Sequence, residues 1–80
     1  MIVEKAKTKE QTHLFNANQD VYLISYTGSN RCLVKGRFRG KSRFIKAWVN
    51  KANITSLIPV DVDEKTYQKN HVELIGLGGL

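Results

Sequence analysis

"RCLVKGRFRGKSRFIKAWVNK", residues 31–51, carries eight basic side chains and no acidic one, with aliphatic and aromatic residues threaded between them. Two β-rich runs flank "GKS", so the stretch reads as two strands, 31–39 and 43–50, joined by a tight turn. A turn centred on Gly40 and Lys41 makes a Gly-X hairpin, and side chains then alternate between two faces. One face gathers Cys32, Val34, Gly36 and Phe38 opposite Val49, Ala47, Ile45 and Arg43, which is a core face with one charge near the turn. The other gathers Arg31, Leu33, Lys35, Arg37 and Arg39 opposite Asn50, Trp48, Lys46, Phe44 and Ser42. A four-residue loop over Arg39–Ser42 keeps this pairing. A three-residue loop slips it and puts charges on both faces, which burial of either face opposes.

The basic face sets the functional expectation. Arg and Lys neutralise phosphates and release counterions, and an exposed aromatic ring offers a stacking plane worth about 1–3 kcal/mol per base. Arg31, Lys35, Arg37, Arg39, Lys41, Arg43, Phe44, Lys46, Trp48 and Lys51 are the candidate nucleic-acid contacts. Arg37, Arg39, Lys41 and Arg43 surround the hairpin tip, and a tip of this kind can enter a duplex groove. Contacts of this sort are mostly to phosphate and carry low base specificity, with DNA and RNA both open. Trp48 stands opposite Leu33, where it is either exposed or covered by a terminal segment. The alternative function is a protein-interaction module or inhibitory accessory factor that docks its basic hairpin on an acidic partner surface.

Outward from the hairpin, "DVYLISYT" is a β-branched and aromatic strand closed by Gly28, Ser29 and Asn30. Residues 54–58 form a further strand stopped by Pro59, and "HVELI" at 71–75 forms the last. Asp63 is placed to cap a short helix with Glu64 in its first turn. Thr8 and Gln11 have capping-box spacing, so residues 1–19 are an arm or carry a short helix. Residues 20–76 form one small β domain and 77–80 a flexible tail. The fold class is all-β with room for one short helix, a small five-stranded antiparallel barrel.

At "IKAWVNKANITSL" the chain resembles the closing segment of Src-homology-3-like barrels. There a Trp-Val or Tyr-Val strand end leads into a short helical turn and a last apolar strand; Trp48-Val49, Asn50-Lys51-Ala52-Asn53 and Ile54 follow that order. The resemblance implies a five-stranded barrel of a kind used for wall binding, proline-peptide binding, and nucleic-acid or ribosome association. The acidic loop of the proline-peptide binders has no counterpart, because residues 21–60 contain no acid.

The totals agree with one small domain. Eighty residues leave room for one modest core, and 41% hydrophobic with 25% charged residues is ordinary for a folded chain. The net charge of +6 is concentrated centrally, the seven acids falling at Glu4, Glu10, Asp20, Asp61, Asp63, Glu64 and Glu73. The single cysteine, Cys32, permits no internal disulfide and reads as a small buried hydrophobe. His13 and His71 lack partners at metal-binding spacing, so neither metal nor cofactor is expected, and no constellation suggests an enzyme. A charged N-terminal decapeptide and the absence of an apolar run near 20 residues lead us to expect a soluble cytoplasmic protein.

Overall fold

The computed structural model describes residues 1–26, 30–69 and 72–74. Six strands, β1 (Ile2–Lys7), β2 (Asp20–Tyr26), β3 (Arg31–Arg37), β4 (Phe44–Asn50), β5 (Ile58–Asp61) and β6 (Val72–Leu74), form one sheet. Their order is β5-β1-β2-β3-β4-β6; the first five pair antiparallel and β6 runs parallel to β4. A 3-10 turn at Lys51–Asn53 follows β4, and helix α1 (Glu64–Lys69) follows β5. The protein is therefore mostly β with one short α-helix.

The β3–β4 hairpin pairs as its alternation requires, with Arg31 opposite Asn50, Gly36 opposite Ile45 and Arg37 opposite Phe44. Of the two loop lengths that preserve this pairing, the four-residue one forms. The amide of Phe38 donates to the Arg43 carbonyl (2.9 Å), extending the ladder by one step, and Lys41 N donates to Phe38 O (3.0 Å). Gly40, at φ 75°, supplies the left-handed conformation that this turn needs. Cys32, Val34, Ile45 and Ala47 are fully buried and join Ala6 of β1, Val21 of β2 and Ile54 in one core.

Residues 1–19, expected as an arm or short helix, instead supply β1 and a folded loop. Lys5, Ala6 and Lys7 pair with Tyr22, Val21 and Asp20, making β1 an interior strand between β2 and β5. Thr8 does not cap a helix. Its hydroxyl donates to Asn16 O and accepts from Gln19 N, tying the two ends of the loop together. Within the loop Thr12 Oγ1 accepts from the amides of Leu14 and Phe15, and Phe15, 1% exposed, plugs the core. Burial of that one aromatic ring outweighs the weak local helix signal.

The strand expected at 54–58 also shifts. Ile54 is buried and bridges Thr8, while β5 begins at Ile58 and contains Pro59. β5 is an edge strand, where a residue without an N–H is tolerated. Asn53 O accepts from Lys9 N and Lys7 O from Thr55 N, so the chain leaving β4 returns directly to β1. Residues 72–74 confirm a strand within "HVELI"; Gly28, Ser29, His71, Ile75 and the tail at 77–80 lie outside the described residues.

Phe15 fits only because β3 has a glycine beneath it. A Cβ at Gly36 would lie 2.8 Å from Val21 Cγ1 and 2.9 Å from Phe15 Cε1, both on buried side chains with little room to move. Gly36→Ala is expected to destabilise the fold by about 1–3 kcal/mol through overpacking. Thermal denaturation followed by circular dichroism checks this: the midpoint should fall by several degrees.

Candidate nucleic-acid interface

Alternation carries the outer face across four strands. Lys5, Tyr22, Lys35 and Lys46 form one row from β1 to β4, since each is paired with the next. Lys7 and Asp20, and Arg37 and Phe44, make up the neighbouring row towards the hairpin tip. Val21, Gly36 and Ile45, one residue along, point the other way into the core.

The candidate residues separate into three groups on this frame. Arg37, Lys41 and Arg43 are exposed at the tip with Arg39 half-buried, and Phe44 is half-buried at the start of β4. The guanidinium of Arg37 is tied across the tip, its Nε donating to Lys41 O (2.9 Å). Arg43 lies 5.6 Å from the Phe38 ring centroid, a cation–π contact. Arg31 and Lys51 sit at the opposite end of the hairpin, roughly 20 Å away by six steps of about 3.3 Å. Lys51 stands over the Tyr26 ring at 5.2 Å. A single compact site does not unite these ends.

The middle group behaves differently from expectation. Lys35 points to the outer face but is only 5% exposed, because α1 lies across it. Its ammonium donates to the carbonyl of Tyr67 in the last turn of α1 and rests 3.9 Å from the Tyr67 ring centroid. A cation at those carbonyls complements the helix dipole. Lys35 is thus a docking residue for the helix rather than an open phosphate contact. Lys46 and Trp48 are half-buried, so Trp48 is neither a core residue nor a fully open stacking plane.

Sequence alternation alone missed Gln19, Asp20 and Tyr22, which border the tip. Together with Arg37, Lys41 and Phe44 they line an open groove of about 540 Å³. Gln19 braces it: its Nε2 donates to Arg37 O (2.7 Å) and its Oε1 accepts from Asn16 N (2.9 Å). Asp20 accepts from Lys7 Nζ at 2.9 Å and has Lys5 Nζ at 3.8 Å. The Lys7 hydrogen bond, aided by Lys5 and opposed by burial, holds its carboxyl below the usual carboxylate range. The groove's acid is therefore ionised but compensated. Tyr22 also packs edge-on against Tyr67, ring centroids 5.7 Å apart, beside a smaller recess of about 310 Å³ that reaches Lys35.

The remaining polar clusters serve the fold. Asp63 caps α1, accepting from Thr66 N (3.0 Å) and Thr66 Oγ1 (2.7 Å). Asp61 accepts from the Met1 amino group at 3.2 Å. Cys32 is buried, which pushes its thiol pKa up and away from nucleophilic use. Among the described residues no three His, Cys, Asp or Glu side chains come together as a metal site, and no helix is long and apolar enough to cross a membrane.

Desolvation, reinforced by Lys46 across the ladder, pulls the Lys35 pKa below the ordinary lysine value of 10.5. Between the lowered folded value and 10.5 the unfolded chain binds more protons, so folding gains stability as pH rises. The unfavourable contribution is fully present below the folded pKa. Stability of the wild type minus that of Lys35→Met, measured by urea denaturation, should accordingly climb as pH approaches 10.5. A flat difference would show that the folded lysine holds its proton as firmly as the unfolded one.

Compared with known protein families, with curated proteins and with solved structures, the chain matches none.

Proposed function

We propose that this protein is a non-enzymatic nucleic-acid-binding module, acting in the cytoplasm, whose hairpin tip grips the phosphate backbone. The observation that carries the proposal is the crowding of Arg37, Arg39, Lys41 and Arg43 onto one tip, in a segment from Val21 to Val60 without an acid. Counterion release from such a cluster gives binding that is strong at low salt and little concerned with sequence. The half-buried Phe44 next to it adds an aromatic surface.

The scaffold reading supports the same class. The Src-homology-3-like reading of Trp48-Val49 draws on the 3-10 turn at Lys51–Asn53, which Asn50 caps by accepting from Ala52 N (2.9 Å), although the strand expected at Ile54 begins at Ile58. Such barrels present hairpins and loops from a small rigid body, and function then lies in the side chains they carry.

Arg39, Lys41 and Arg43 lie outside the buried core, Arg43 resting against the Phe38 ring, whereas Arg37 bonds across the tip. The triple variant Arg39→Gln, Lys41→Gln, Arg43→Gln should weaken binding to labelled oligonucleotides in fluorescence anisotropy. Each lost phosphate contact should reduce the slope of log K against log salt by about 0.7–0.9. Absence of binding by the wild type even at low salt, to DNA and RNA alike, would overturn the proposal.

A further inference from the structure

We infer that the groove beside the hairpin tip receives an unpaired nucleobase, so that single-stranded nucleic acid is the ligand; this deepens, and rests on, the nucleic-acid reading above. The first reason is how the tip is mounted. Beyond the β3–β4 ladder and the Phe38–Arg43 step only residues 39–42 remain, and Arg39 N is tied to Leu14 O of the β1–β2 loop (2.7 Å). The loop buttresses the tip on one side. It does not stand clear as a probe able to enter a major groove about 12 Å wide.

The second reason is where the aromatic surface lies. Phe38, Phe44 and Tyr22 are all half-buried and line one concavity instead of projecting from the sheet. In a duplex each base face is covered by its stacked neighbours, and only its edge is on offer. A ring set back in a recess can stack only with a base that has left the helix. The recess of about 540 Å³ falls within the roughly 300–1,000 Å³ of small-ligand sites, enough for such a base.

The third reason is the arrangement of charge around the recess. Arg37 and Lys41, held together by the Arg37 Nε to Lys41 O bond, stand at its rim where the strand's phosphates would pass. Asp20, the acid in its wall, is compensated by Lys7 and Lys5 and so does not repel them. Gln19 fixes the wall through its two hydrogen bonds, leaving little to order on binding. Base inside and phosphate outside is the polarity that an unpaired strand presents.

The test compares a labelled single strand with the same sequence annealed, as DNA and as RNA, by anisotropy at low salt. The single strand should bind at least tenfold more tightly. Phe44→Leu, which keeps apolar bulk but removes the ring face, should weaken single-strand binding about tenfold and duplex binding by a clearly smaller factor. Tyr22→Leu repeats the test from the neighbouring strand if Phe44→Leu lowers the melting midpoint. Equal affinity for both forms, with both leucine variants neutral and the tip triple variant still weakened, would overturn the groove and leave the phosphate-gripping function standing. No binding to either form by the wild type would overturn both.

Discussion

The row that pairs Val21 with Gly36 and Gly36 with Ile45 governs the rest of the molecule. Gly36 lies between two large apolar neighbours, and the space left by its missing side chain is filled by Phe15 from the β1–β2 loop. One aromatic ring thus fixes three things together. It sets the inward face of β2, β3 and β4, it holds the loop against the sheet, and through Leu14 O it braces Arg39 at the hairpin tip. In a chain with so small a core, a single slip in this row would turn Cys32, Val34, Ile45 and Ala47 to water.

The same constraint produces the outer face. With Gly36 inward, Lys35 and Arg37 must point outward, and Lys35 meets Lys46 directly across the ladder. Like charges at that spacing repel, and neither can leave the row. Helix α1 relieves the conflict by offering the Tyr67 carbonyl and ring to the Lys35 ammonium. The cost is partial desolvation of a cation, visible in its lowered pKa. The benefit is that a six-residue helix, too short to be stable by itself, has an electrostatic seat on the sheet.

Much of the hairpin was legible in the sequence because a period of two with one buried face leaves few alternatives. The pairing of all seven β3 residues, the inward set and the Asp63 cap follow from side-chain types alone. The N-terminal segment was not legible. Its strand "IVEKAK" carries charges at Glu4, Lys5 and Lys7, on both of its faces, and acquires a core contact mainly through Ala6, so its pairing is set by β2 and β5 and not by its own composition. Gln19, Asp20 and Tyr22 were missed for the same reason: without β1, nothing places Lys5 and Lys7 beside them. The burial of Lys35 depends on α1 crossing the sheet, a tertiary contact with no local signature.

Charge is sorted by the fold as well as by the sequence. Asp20 is bound to Lys7 and Lys5, Asp61 to the Met1 amino group, and Asp63 to Thr66 at the start of α1. These acids are spent on holding elements together, and all of them lie on strands and turns outside β3 and β4. Among the hairpin cations, Arg37 and Lys35 donate to carbonyls, while Lys35, Lys51 and Arg43 rest against aromatic rings. Carbonyls and rings orient a cation without cancelling its charge. The Arg37 guanidinium is oriented in this way beside the groove that it lines with Lys41 and Phe44.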